Sequence, residues 1–104
     1  MITVADIKKY AVDGGATLKN GIAKQYKSGW QVATEGVVVK DNDFTGILEA
    51  ITVYDGNCGL WFDGGFCYID KSYRVSTKRE AMEVGRANNQ ISVLRWRDMV
   101  CVNC

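Results

Sequence analysis

A pair of adjacent glycines between two short alternating segments constrains the fold of this chain more than any other feature. The segments are residues 58–62 and 66–70, and the sequence Asp-Gly-Gly occupies 63–65. Glycine adopts positive φ without steric cost, so Gly64 and Gly65 suit the two central positions of a tight turn. The sequence therefore predicts a β-hairpin at this point.

The same turn fixes which side chains share a face of the hairpin, because side chains alternate between the two faces of a strand. With the two glycines at the turn, the predicted core face consists of Cys58, Leu60, Phe62, Cys67 and Ile69. The opposite face then carries Trp61 and Tyr68 as a cross-strand aromatic pair. These rings are either covered by a helix or a second copy of the chain, or they form a binding surface.

Three segments have the apolar spacing of amphipathic helices. The first covers about residues 3–13, and the third covers about 77–88, where the sequence Thr-Lys-Arg-Glu predicts a capping box. The second helix begins after Asp41 or Asp43 as N-cap and ends near residue 54.

Further strands are predicted between and after these helices. Asn20-Gly21 predicts a hairpin that follows the first helix. Residues 30–34 and 36–40, separated by a Glu-Gly pair, predict a second hairpin, and residues 91–96 predict a last strand.

Hairpins that alternate with helices indicate an α+β fold, a small antiparallel sheet packed against two or three helices. The length of 104 residues is typical of one domain, so residues 1–104 are expected to form a single globular domain. No stretch approaches the roughly 20 apolar residues of a membrane helix, and no secretory signal is evident. We therefore expect a cytoplasmic protein that does not bind membranes.

The chain contains no histidine, the commonest general base at neutral pH. Its carboxylates occupy turns and caps, as Asp63 and Asp41 do, and its glycine pairs lack the spacing of a phosphate-binding loop. The sequence therefore predicts a protein that is not an enzyme and needs no cofactor.

Four cysteines raise the alternative of a metal or redox site. Cys101 and Cys104 have the spacing of a zinc knuckle. However, Cys58 and Cys67 are predicted to face the core of one hairpin, and a redox pair requires a helix N-terminus. We expect free thiols and no metal.

Charge is distributed in two blocks. Residues 41–70 contain six acids and no Lys or Arg, whereas residues 71–97 contain seven bases and two acids. The blocks either form opposite faces or neutralise each other.

Two candidate binding sites follow from these charges. Acids around exposed aromatic rings suit protein recognition, and the candidate partner-binding residues are Trp61, Tyr68, Asp55, Asp63 and Asp70. Bases beside aromatic rings suit single-stranded nucleic acid, and the alternative nucleic-acid-binding residues are Arg74, Lys78, Arg79, Arg95, Trp96 and Arg97.

Part of the chain resembles short proteins carried by phages and mobile elements of Gram-positive bacteria. The resemblance is carried by Gly59-Leu60-Trp61, Tyr68-Ile69-Asp70 and residues 77–81 and 85–90. It implies the anti-CRISPR class, small non-enzymatic inhibitors that occupy the nucleic-acid sites of a Cas effector. The leading hypothesis is thus an inhibitor that binds a Cas9-like effector in the cytoplasm of the host. The alternative is a single-stranded nucleic-acid-binding domain that uses residues 71–97.

Overall fold

Helices and a single antiparallel sheet make up the fold, as the computed structural model of residues 2–104 shows. The helices of this described part are α1 (Val4–Val12), α2 (Phe44–Val53) and α3 (Lys78–Ala87). The strands are β1 (Gly15–Lys19), β2 (Ile22–Ala23), β3 (Trp30–Lys40), β4 (Cys58–Asp63), β5 (Phe66–Val75), β6 (Ser92–Arg95) and β7 (Val100–Asn103). Their order in the sheet is β2-β1-β4-β5-β3-β6-β7, which confirms the α+β prediction.

Side-chain caps determine where the helices begin. Thr3 and Asp6 form a reciprocal capping box on α1, and the Asp43 carboxylate accepts a hydrogen bond of 3.0 Å from the N–H of Gly46 at the start of α2. Thr77 Oγ1 accepts from the N–H of Glu80 at 3.2 Å and begins α3, which is the threonine half of the predicted box. Each cap satisfies a backbone donor that has no partner inside the helix.

Among residues 2–104, none of the helices combines the length and the apolar character that a membrane span requires.

Both predicted glycine turns are present. Asn20 and Gly21 have φ of 50° and 78° between β1 and β2, and Gly64 and Gly65 have φ of 59° and 88° between β4 and β5. The β4–β5 register pairs Leu60 with Ile69 and Phe62 with Cys67, as predicted.

The second predicted hairpin is wrong, because residues 30–40 form one continuous strand, β3. Gly36 does not have the positive φ of a turn glycine. Instead, a Cβ atom at Gly36 would lie only 3.0 Å from the carbonyl oxygen of Ile69. The glycine therefore permits close approach of β5, and the valines that follow it continue the strand.

The C-terminal hairpin was not predicted. β6 pairs with β7 in a regular antiparallel register from Ser92–Asn103 to Arg95–Val100. The connection contains Met99 with φ of 57°, a conformation that non-glycine residues seldom adopt. Asp98 is the one residue of a type common in turns within this connection, and no glycine or asparagine occupies the left-handed position, so the local sequence signals the turn only weakly.

Two compact units divide the described chain. Unit 1 comprises the described residues up to Lys24 and Gly36–Lys71, and unit 2 comprises Gln25–Glu35 and Ser72–Cys104. Unit 1 packs α1 and α2 against its strands around a buried cluster that consists of Ile7, Leu18, Ile47, Ala50, Ile51, Tyr54, Cys58, Leu60, Cys67 and Ile69. Unit 2 packs α3 around a second buried cluster, Trp30, Val32, Val75, Ala81, Met82 and Val93. Each fully buried aliphatic side chain contributes roughly 1.5–3 kcal/mol.

Two left-handed glycines in unit 1 provide a matched test of packing. Gly56 and Gly21 have φ of 72° and 78°, so alanine at either position incurs similar backbone strain of roughly 1–2 kcal/mol. A methyl group at Gly56 would overlap the backbone of Gly21, whereas one at Gly21 meets no atom within 4 Å. We expect Gly56→Ala to lower the free energy of unfolding by about 1–3 kcal/mol more than Gly21→Ala, as measured by urea denaturation. Equal losses would contradict the packing of Gly56 on the β1–β2 turn.

Candidate functional site

The outer face of the β4–β5 hairpin presents aromatic rings to solvent. Trp61 and Tyr68 are register partners, and they are 65% and 42% exposed. Phe66 lies on the same face, opposite Asp63 at the turn, and is also exposed. The predicted cross-strand pair is present, and within residues 2–104 neither a helix nor a strand covers it. We call this set, together with Asp70, the aromatic face.

Small residues surround Trp61 on the strand beside it. β1 pairs with β4 so that Gly15 lies opposite Trp61 and Thr17 lies opposite Gly59. Alanine at Gly15 would overlap the carbonyl oxygen of Leu60, so this position requires glycine for close strand approach. The indole therefore has no bulky neighbour on its β1 side.

Two of the three predicted acids border the aromatic face. Asp63 ends β4, and the carboxylate of Asp70 accepts a hydrogen bond of 3.2 Å from the N–H of Gly59 on the same face. Asp55 lies elsewhere, in the left-handed turn after α2 with φ of 55°. Asp41, predicted only as a helix cap, instead donates its N–H to the carbonyl oxygen of Gly65 at 3.0 Å and so lies beside the hairpin turn.

Asp55 is close to the hairpin only in sequence, whereas the main chain of Asp41 reaches the turn through contact between distant segments. Only the pairing of β3 with β5 brings Asp41 there, and no local pattern signals that pairing. The acids on the aromatic face are thus Asp63 and Asp70, and the main chain of Asp41 lies beside its turn.

Trp96, the predicted stacking ring of the basic segment, is buried in unit 2. It is 3% exposed, and its Nε1 donates to Gln31 Oε1 at 3.2 Å. Tyr26 contacts it edge-on, with ring centroids 5.4 Å apart and planes inclined by 65°. Stacking of a nucleic-acid base requires an open ring face, which Trp96 does not offer here.

Two of the predicted basic residues are already engaged within unit 2. The guanidinium of Arg74 donates to the carbonyl oxygen of Ser28 at 2.9 Å and lies 5.4 Å from the ring centre of Tyr26. Arg95 donates to both carboxylate oxygens of Asp98, at 2.9 and 2.8 Å. These hydrogen bonds lower the pKa of Asp98 below its usual value and raise that of Arg95.

The remaining bases are spread over different elements. Lys78 and Arg79 are exposed at the start of α3, and Arg79 pairs with Glu83 at 3.3 Å. Arg97 borders a shallow cavity of about 270 Å³ that is also lined by Ser28, Gly29, Trp30 and Arg95. Of the six predicted residues, only Arg95 and Arg97 line this cavity.

The four thiols of the described chain are unpaired. Burial raises the pKa of Cys58 to about 12 and that of Cys67 to about 11, and the nearby charges of Asp70 and Asp41 respectively add to the shift. These two thiols stay protonated at neutral pH. Cys101 is exposed and Cys104 is half-buried. Within residues 2–104, no three Cys, Asp or Glu side chains converge in a group that could hold a metal.

Comparison of the chain with models of known protein families, with curated proteins and with solved structures finds no significant match. The chemistry of the aromatic face itself therefore carries the functional reasoning.

Thiol labelling tests the arrangement of the cysteines. With iodoacetamide, we expect the exposed Cys101 to react first and the half-buried Cys104 more slowly. Cys58 and Cys67 should react only after unfolding, because burial keeps the reagent away from both thiols and raises their pKa. Peptide mass spectrometry with and without urea measures this order, and Cys101→Ser provides the control. Rapid modification of Cys58 in the folded protein would contradict it.

Proposed function

We propose that this protein is a non-enzymatic binding protein and that the aromatic face is its partner-binding surface. The exposure of Trp61, at 65%, carries the proposal. Trp and Tyr contribute most of the binding energy at many protein interfaces, provided that the partner removes them from water. Here both are present as a register pair.

The hairpin that carries these rings is well suited to hold them in place. Cys58, Cys67 and Ile69 on its inner side are fully buried, and six residue pairs align β4 with β5. Rings on such a scaffold lose little conformational freedom when they bind, because the backbone is already fixed and each ring has only two side-chain torsions.

The acids around the rings indicate the chemistry of the partner. Asp63 and Asp70 lie on the same face as the rings, and residues 41–70 contain no Lys or Arg, so this segment places negative charge beside the rings. A basic protein surface complements that charge, and steering by these acids raises the association rate at low ionic strength. The partner is therefore a protein whose contact surface carries Arg and Lys.

A Cas9-like effector is the partner that we propose, which would make this protein a phage or mobile-element inhibitor of a host defence complex. Two considerations support it: the resemblance of Gly59-Leu60-Trp61 and the other quoted segments to such proteins, and the positive charge of the channels in which these effectors hold nucleic acid. An acid-bordered aromatic surface that occupies such a channel would exclude the nucleic acid.

Single-stranded nucleic-acid binding by residues 71–97 has less support. The ring of Trp96 is buried and hydrogen-bonded to Gln31. The guanidinium groups of Arg74 and Arg95 are hydrogen-bonded to Ser28 and Asp98 respectively.

Substitution of the exposed rings tests the proposal. We expect Trp61→Ala and Tyr68→Ala each to weaken binding to the effector by about 10- to 100-fold, the loss typical of interface aromatic residues. The unfolding midpoint should hardly change, since these rings are exposed. Tyr73→Ala is the matched control, because Tyr73 lies on the same strand and is also 42% exposed.

Titration of the protein against Cas9-family effectors, with and without guide RNA, measures this binding, and a DNA-cleavage assay measures inhibition. No complex and no loss of cleavage would refute the proposed partner. An equal loss with Tyr73→Ala would refute the aromatic face. A gel shift of an oligonucleotide that is lost on raising the salt concentration or in Arg97→Ala would favour the nucleic-acid alternative.

A further inference from the structure

The two ends of the sheet differ in how much backbone they present. β2 at one end has two residues, whereas β7 at the other end has four, Val100–Asn103. An end strand carries main-chain N–H and C=O groups that no neighbouring strand satisfies, and these groups pair readily with another strand. Within residues 2–104, β7 has β6 on one side and no strand on the other.

Hydrogen bonds at both ends of β6 show which β7 groups point outward. On the β3 side, the backbone N–H of Trp96 donates to the carbonyl oxygen of Gly29 at 3.0 Å. On the β7 side, the backbone N–H of Cys104 donates to the carbonyl oxygen of Ile91 at 3.0 Å. Bonding alternates along an antiparallel strand, so the odd-numbered residues of β6 bond to β7. Their partners in the register are Val102 and Val100.

Cys101 and Asn103 lie opposite the even-numbered residues of β6, Leu94 and Ser92. Their backbone N–H and C=O groups consequently point away from β6, towards the open side of the strand. Both residues are exposed. The outer side of β7 therefore presents a donor and an acceptor at Cys101 and again at Asn103.

This arrangement is complementary to itself. If a second β7 runs antiparallel about an axis through Val102, each Cys101 faces Asn103 of the second copy. Such residues exchange both of their main-chain hydrogen bonds, and every outward group finds a partner. The two Val102 residues then lie opposite each other at the axis, where side chains approach most closely. A two-fold arrangement of this kind is the commonest among oligomers.

The sequence of β7 favours a second copy as the occupant. Val-Cys-Val-Asn carries no charge and no proline, and its register with β6 is regular, without a bulge. Charged side chains, proline and bulges are the features that keep end strands from pairing with each other. β7 has none of them. Two uncharged strands meet without repulsion, whereas an acidic or basic partner segment would find no complementary charge. Val100, the first residue of β7, is 43% exposed and adds apolar surface.

We propose that two copies of this chain associate through antiparallel pairing of their β7 strands, which extends the sheet across the dimer. The contact is short, so the dimer is concentration-dependent. None of the β7 residues belongs to the aromatic face, and the dimer does not depend on the proposed function.

Analytical ultracentrifugation in the presence of a reducing agent tests this. From about 10 μM to about 1 mM, the range in which weak interfaces associate, the mass should rise from 11.5 kDa towards twice that value. Asn103→Pro removes an outward N–H from each copy but no β6–β7 bond, and should weaken dimerisation by about 10- to 100-fold. Asn103→Ala keeps the N–H and should dimerise as the unchanged chain does. A chain that stays monomeric, or equal dimerisation of the two variants, would overturn the proposal.

Amide hydrogen exchange of the unchanged chain gives a test that does not depend on any variant. The amides of Cys101 and Asn103 should exchange more slowly as the concentration rises, because pairing protects them. The amide of Val102, which bonds to β6, should be protected at every concentration and serves as the internal control. Exchange of Cys101 and Asn103 at one rate throughout the range would overturn the proposal.

Discussion

The register of the β4–β5 hairpin determines both the core of unit 1 and the surface proposed for binding. Gly64 and Gly65 adopt the left-handed conformations of a two-residue turn, and that turn leaves only one alignment of the strands. A slip of β4 by one residue would place Trp61 in the interior and Leu60 in water. Since each fully buried apolar side chain contributes roughly 1.5–3 kcal/mol, the core itself opposes the slip, and the rings stay outside.

Local signals were sufficient wherever neighbouring residues decide the structure. The capped helices, the Asn20-Gly21 turn and the β4–β5 register follow from steric and hydrogen-bonding preferences over a few residues. The prediction from sequence failed where contacts between distant segments determine the backbone conformation. Gly36 resembles a turn glycine until the carbonyl of Ile69 is placed beside it, and Met99 adopts a left-handed conformation that its residue type does not suggest.

The residues of the candidate site also fall into two groups, those positioned by local sequence and those positioned by distant segments. Alternation along one hairpin was enough to place Trp61, Tyr68, Asp63 and Asp70 on one face, because those four residues depend on a single turn. The position of Asp41 depends on β3, which brings its main chain to the turn, while Asp55 lies in the connection after α2. Burial of Trp96 likewise depends on Gln31 and Tyr26, which are far away in sequence.

The glycines around Trp61 limit how this surface can change. Gly15 lies opposite the indole and Gly59 precedes it by two positions on the same face, so a partner that covers the ring also meets bare main chain. Any side chain at Gly15 would collide with Leu60, and one at Gly59 would crowd the carboxylate of Asp70. The rings and acids of the surface proposed for binding can therefore change more freely than Gly15, where a side chain would overlap main-chain atoms of β4.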